Sequence, residues 1–213
     1  MNYETYIDHT LLKADATKAQ IENLCKEARD YGFASVCVNS YWVSYCHELL
    51  QDCDVNVCTV VGFPLGAMST ASKAFETKQA ILDGADEIDM VLNIGALKDE
   101  DYDVVKQDIE AVVKAADQHC VKVILETCLL TTEQIRKACS LCVEAKATFV
   151  KTSTGFSTRG ATIEDVLLMK DSVQGKCKIK AAGGVRTHED MVNMIKAGAD
   201  RIGTSAGITL MKE

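Results

Sequence analysis

A short run of β-favouring residues followed by a run with helical spacing recurs about eight times in the 213 residues. No other feature narrows the fold as much. The β-like runs cover 7–10, 34–38, 55–61, 87–93, 122–127, 148–151, 178–182 and 201–204. Helices are expected over 17–31, 41–51, 72–83, 102–119, 132–145, 163–172 and 189–197. In the first of these, Ile21, Leu24, Cys25 and Ala28 fall on one helical face and Gly32 suits the terminating turn. In the fourth, Val105, Ile109, Val112 and Val113 share a face, and Thr131 or Thr132 is placed to cap the fifth. Strands joined by helices through short connections run parallel. Eight such units predict an α/β architecture closed on itself, a (β/α)8 or TIM barrel. Barrels of this kind run to about 250 residues, so this one is compact, with only a stub after Gly207 left for an eighth helix. A doubly wound open sheet is the alternative, but no G-x-G-x-x-G opens a helix after the first strand. No linker-like stretch interrupts the pattern, and residues 1–213 are read as one domain. A weak internal repeat accompanies it: Asp83-Gly84-Ala85-Asp86-Glu87-Ile88 resembles Ala197-Gly198-Ala199-Asp200-Arg201-Ile202.

Charge and composition exclude several functions. The net charge is -8 and the pI about 5.1, which argues against nucleic acid as a partner. A small anion held in a local positive pocket stays possible. No apolar run approaches the roughly 18 residues of a membrane span, and the N-terminus lacks the basic region and apolar core of a signal peptide. A cytoplasmic protein without membrane partners is expected. The ten cysteines do not form a disulfide or zinc pattern. Cys37, Cys58, Cys128 and Cys177 fall in apolar strand-like runs, and Cys25, Cys46, Cys139 and Cys142 in helix-like ones. Cys139 and Cys142 form a lone C-x-x-C without a second pair at finger spacing. The four histidines, at positions 9, 47, 119 and 188, are scattered, so no metal site is expected.

Chemistry concentrates at the ends of the β-like runs, where barrel active sites lie. The run 148–151 delivers Lys151 into a loop rich in Thr, Ser and Gly. A lysine so placed either reaches water, joins an ion pair, or serves as a neutral amine that forms a Schiff base with a carbonyl. In the fourth run Ile88, Met90 and Leu92 share the helix-facing side, so the period of two turns Asp89 inward. In the seventh, Ile179 and Ala181 suit the helix side and Lys180 turns inward. One carboxylate and two lysines at a barrel mouth suit an amine-catalysed aldolase: the carboxylate can move protons among carbinolamine, imine and enamine. A buried Lys-Asp-Lys network that merely fills the barrel is the alternative, but such networks are weak stabilising devices. Gly183-Gly184-Val185 and Gly203-Thr204-Ser205 follow the last two strands, where barrels often hold phosphate on backbone N–H groups, and Gly155 is placed to join them.

With these motifs in order along nearly the whole length, the chain resembles the deoxyribose-phosphate aldolase family. The resemblance is carried by Ile7-Asp8-His9-Thr10-Leu11-Leu12, Val36-Cys37-Val38-Asn39, Val61-Gly62-Phe63-Pro64-Leu65-Gly66 and Glu87-Ile88-Asp89-Met90-Val91-Leu92-Asn93. It continues through Phe149-Val150-Lys151-Thr152-Ser153-Thr154-Gly155-Phe156, Lys180-Ala181-Ala182-Gly183-Gly184-Val185-Arg186-Thr187 and Arg201-Ile202-Gly203-Thr204-Ser205. It implies a class I lyase, without metal or other cofactor and often dimeric, that interconverts 2-deoxy-D-ribose 5-phosphate with D-glyceraldehyde 3-phosphate and acetaldehyde in deoxyribonucleoside breakdown. Lys151 would form the Schiff base, with Asp89 and Lys180 as proton donors and acceptors. Thr10, Cys37 and Thr154 would lie by the sugar, and Gly155, Gly183, Gly184, Gly203 and Ser205 by the phosphate. Three positions depart from the family pattern: Ser40 where many members have Pro, Arg159 where Gly is common, and Ala206 where a second Ser is common. Arg159 is expected either to face solvent or to help hold the anionic substrate. A sugar-phosphate isomerase using Asp89 as base and a non-catalytic sugar-phosphate binding barrel are the rival functions.

Overall fold

The computed structural model describes residues 2–212. Eight strands close a barrel in sequence order: β1 Ile7–Leu11, β2 Ser35–Val38, β3 Asn56–Val61, β4 Glu87–Val91, β5 Cys120–Ile124, β6 Phe149–Lys151, β7 Lys178–Ala182 and β8 Arg201–Thr204. Every pair is parallel, and β8 closes on β1 with Asp8 opposite Gly203. Around the barrel run α1 Lys18–Tyr31, α2 Val43–Leu50, α3 Thr70–Leu82, α4 Ile94–Lys98, α5 Tyr102–Ala115, α6 Thr132–Glu144, α7 Ile163–Val173, α8 His188–Ala197 and the single turn α9 Gly207–Leu210.

The alternation read from the sequence sorts the strand residues into two environments. Ile88 and Met90 of β4, Val121 and Val123 of β5, and Ile179 and Ala181 of β7 join the apolar layer beneath the helices. Their neighbours Asp89, Lys122 and Lys180 point into the barrel, where all three are fully buried. Helix α1 meets the layer with Ile21, Leu24, Cys25 and Ala28, as its spacing requires, and Gly32 ends it at φ 67°. Each fully buried aliphatic of this layer contributes about 1.5–3 kcal/mol.

Several boundaries differ from the sequence expectation, each for a local reason. The fourth strand stops at Val91 because Asn93 caps α4, its side chain accepting from the Ala96 N–H at 3.2 Å. Helix α5 ends at Ala115 rather than 119, since Asp117 and Gln118 take positive φ. The fifth strand runs over Cys120–Ile124 instead of 122–127. Glu126 is left-handed, and Thr127–Leu129 forms a 3-10 turn. Cys128 therefore lies in that turn and not in a strand. Residues Ser40–Trp42 likewise form a 3-10 turn ahead of α2.

The internal repeat has a structural meaning. Asp86 and Asp200 precede β4 and β8, and each pins its strand to the preceding one by two bonds. The Asp86 carboxylate accepts from the Val57 N–H at 2.8 Å, and the Asp86 N–H donates to the Val57 carbonyl at 2.8 Å. Asp200 makes the same pair with Ile179, at 2.9 and 2.8 Å. The repeated aspartate thus fixes register at the lower end of two strands.

Candidate active site

Lys151 ends β6, and its ammonium meets the Asp89 carboxylate from β4 at 2.7 Å. Lys180 from β7 reaches the same oxygen at 2.7 Å. The three residues that the sequence sets apart are therefore in mutual contact. They belong to a larger cluster. Lys122 of β5 contacts Asp89 at 2.8 Å and Glu87 at 2.5 Å, and Asp8 of β1 contacts Lys180 at 2.5 Å and Arg201 at 2.5 Å. Three carboxylates (Asp8, Glu87, Asp89) thus face four cations (Lys122, Lys151, Lys180, Arg201) inside the barrel. The period of two that turns Asp89 inward applies equally to Asp8 and Lys122, which the sequence expectation leaves out.

These contacts fix the charge states. Burial works against the Asp89 anion, but Lys122, Lys151 and Lys180 outweigh it and hold its carboxyl well below the usual carboxylate range. Burial likewise opposes the Asp8 anion, and Lys180, Lys122 and Arg201 together hold that carboxyl low. Lys180 and Lys122 are pushed up despite burial, Lys180 by Asp8 and Asp89, and Lys122 chiefly by Asp89. The sign for stability follows. Carboxyls depressed on folding stabilise above their unfolded pKa of about 3.9 and lose that contribution as pH falls below it. Lysines raised on folding stabilise below about 10.4 and lose it as pH climbs through their folded values. The thermal midpoint is expected to hold from about pH 5 to 10 and to decline outside it. A midpoint rising steadily between about pH 8 and 10 would contradict fully charged buried lysines.

Above the cluster lies a cavity of about 320 Å³, and Lys151, 3 % exposed, is the cluster member on its wall. Thr10, Thr154 and Gly155 line it, as do Gly183, Gly184, Gly203 and Ser205. Gly183 and Gly184 both have positive φ, near 80°, so a side chain at either would be strained. Gly203 has a second use: a Cβ there would sit 3.0 Å from Cε of Lys180. Cys37, expected by the sugar, is fully buried with Leu12, Cys58 and Val60, under Phe63, and does not line this cavity. The thiols of Cys37 and Cys58 and a carboxylate oxygen of Asp89 lie within 4.8 Å of one another, which would suit a soft cation. The Lys122 ammonium already stands beside these groups, 3.3 Å from Sγ of Cys58 and 2.8 Å from Asp89.

Other residues of the site escape the sequence reading. Lys13 and Arg186 line the cavity, and among the described residues neither side chain has an ion-pair partner. Arg186 was visible as the residue after Gly183-Gly184-Val185, whereas Lys13 carries no signal apart from following the Thr10 motif. Of the three departures, Ala206 lines the cavity and Ser40 opens the 3-10 turn before α2. Arg159 neither lines the cavity nor stands free. Its guanidinium binds Asp165 of α7, which also accepts from the Thr127 hydroxyl at 2.9 Å. Arg159 thus ties the loop after β6 to α7. An Arg159→Gly variant is expected to keep KM within about twofold and to lose less than about 1 kcal/mol of stability, since the pair is partly exposed. A tenfold higher KM in steady-state kinetics would return Arg159 to the substrate.

A closed α/β barrel with a lysine on the wall of its upper cavity, backed by a carboxylate and a second lysine, defines a barrel built for amine chemistry. Residues 4–211 match the model of the DeoC/LacD family aldolases, and the chain belongs to this family. It is 63% identical over 212 residues to "Deoxyribose-phosphate aldolase 1" of Mesoplasma florum, spanning 100% of this chain and 96% of that one. It is 59% identical over 212 residues to the deoxyribose-phosphate aldolase of Finegoldia magna, with 100% of both covered. The solved tetrameric deoxyribose phosphate aldolase of Aeropyrum pernix superimposes with a TM-score of 0.92 at 32% identity, over 98% of this chain and 88% of that one.

Proposed function

We propose that this protein is a class I aldolase that reversibly cleaves 2-deoxy-D-ribose 5-phosphate to D-glyceraldehyde 3-phosphate and acetaldehyde, in deoxyribonucleoside breakdown. The observation that carries the mechanism is Lys151 on the cavity wall with Asp89 at 2.7 Å and Lys180 on the same carboxylate. The activity itself is that of relatives about 60% identical over nearly their whole length.

The Lys151 ammonium first gives up a proton to cavity water, the neutral amine attacks the C1 aldehyde of the open-chain sugar, and the carbinolamine takes up a proton and loses water to give a protonated imine. The C3 hydroxyl gives up its proton, the C2–C3 bond breaks, and its electron pair moves into the imine. D-Glyceraldehyde 3-phosphate departs, leaving the acetaldehyde enamine on Lys151. Protonation at carbon and hydrolysis release acetaldehyde. Asp89 and Lys180 are fully buried behind Lys151 and off the cavity wall, so they supply and take up protons through the Lys151 amine. The phosphate sits against Gly155, Gly183, Gly184, Gly203 and Ser205, with Thr10 and Thr154 beside the sugar.

Arg186, after β7, and Lys13, after β1, balance the phosphate's two negative charges from loops on either side of β8. Losing a charge-assisted bond costs about 10- to 100-fold in affinity. Arg186→Ala is therefore expected to raise KM by about that factor while kcat changes little. An unchanged KM would remove Arg186 from the phosphate site. No helix among the described residues is long and apolar enough to cross a membrane. With the acidic charge, the reading carried from the sequence is a cytoplasmic enzyme, as a homodimer.

Reductive trapping tests the function. With acetaldehyde and borohydride at neutral pH, an ethyl group is expected on Lys151 and is absent from Lys151→Leu. A folded protein that binds the sugar phosphate without forming this adduct would instead be an isomerase, if it turns over an aldose phosphate, or a binding barrel.

A further inference from the structure

Glu126 differs from the other buried acids among the described residues. Asp8, Glu87, Asp89, Asp108 and Asp165 each have a lysine or arginine partner. Glu126 is 2 % exposed and has none among the described residues. A buried carboxylate without a counter-cation is costly and is held by its hydrogen bonds. Its backbone is also left-handed, at φ 56°, an uncommon conformation for a side chain of this size. Both carboxylate oxygens bond Thr154, and Oε1 also meets the Cys128 thiol at 4.0 Å. Oε1 accepts from the Thr154 N–H at 3.2 Å, and Oε2 accepts from the Thr154 hydroxyl.

The hydrogen-bond count of Thr154 then closes. A hydroxyl has one proton and two lone pairs. The proton goes to Glu126, and one lone pair takes the Phe156 N–H at 3.0 Å. One lone pair remains, on a residue that lines the cavity beside Lys151. We propose that Glu126 is a positioning residue that makes Thr154 an acceptor-only group, so that the site selects a substrate carrying a hydroxyl donor where Thr154 meets it. This specificity rests on the aldolase function proposed above. The residue selects the hydroxylated sugar phosphate and has no part in handling acetaldehyde, which carries no hydroxyl.

Glu126→Gln is the informative change. Glutamine keeps the size and one oxygen for the Thr154 N–H, but its amide NH2 faces the Thr154 hydroxyl. The hydroxyl must then accept from the amide, and its proton turns toward the cavity. kcat/KM for 2-deoxyribose 5-phosphate is expected to fall about 10- to 100-fold, while acetaldehyde trapping on Lys151 continues. Thr154→Val is expected to lose a similar factor on the sugar phosphate, and Thr154→Ser to stay within about threefold of the parent. In a Thr154→Val background, Glu126→Gln should have no further effect, because Glu126 would act solely through that hydroxyl. Additive losses, or an equal fall in acetaldehyde trapping, would show a structural role and overturn the proposal. Equal kcat/KM for the Val and Ser variants would overturn it even if Glu126→Gln failed to fold. Absence of trapping in the unmodified protein would instead overturn the aldolase function itself.

Discussion

Lys151→Leu is expected to lose cleavage of 2-deoxyribose 5-phosphate by about 10⁴-fold or more, with the fold intact. The loss is large because every step after binding is proposed to occur on this amine, and no other lysine of the cluster reaches the cavity wall. The fold should survive because the change removes the cation in excess. Four cations face three carboxylates, and Asp89 keeps Lys122 at 2.8 Å and Lys180 at 2.7 Å. The measurement pairs steady-state cleavage with thermal unfolding. A variant that retains a tenth of the activity would place the nucleophile elsewhere. A variant that unfolds would make the amine structural.

What was legible in the sequence was set by periodicity. Alternation along 87–93 and 178–182 orients Asp89 and Lys180 correctly, because a parallel strand in a closed barrel offers its side chains just two environments. The same rule turns Asp8 and Lys122 inward, where they meet Lys180 and Asp89. Pairing across the barrel is invisible to local pattern: the contact between Lys180 and Asp89 spans 91 positions. Boundaries failed where side chains capture backbone groups, as Asn93 does for α4, or where a residue turns left-handed, as Glu126 does. Glu126 had no signal of its own, since its importance lies in which atoms of Thr154 it faces. Cys37 sits level with Thr10 and Cys58 in the register, and the Phe63 side chain from the loop after β3 packs over that level.

Asp89→Asn is expected to destabilise the protein by about 3–5 kcal/mol at neutral pH, the usual cost of removing one partner from a buried ion pair. For a chain of this size that lowers the thermal midpoint by roughly 6–20 °C. Asparagine matches the carboxylate in shape, so packing is kept and the effect is electrostatic. Three ammonium groups that met Asp89 at 2.7 to 2.8 Å would then share Asp8 and Glu87 alone. Cleavage should fall with stability, because the carboxylate against Lys151 is gone. The pH dependence separates this cause from a packing defect. In the parent, the buried Lys122 and Lys180 are pushed up, and stability falls as pH rises past about 10.4. In the variant, uncompensated burial favours the neutral amine. The unfolded chain then binds more protons than the folded one, and stability rises with pH up to about 10. The two thermal-midpoint curves should converge as pH is raised from 7 to about 10. Parallel curves, or an Asp89→Asn midpoint equal to the parent's, would mean that Asp89 does not hold the buried lysines in their charged form.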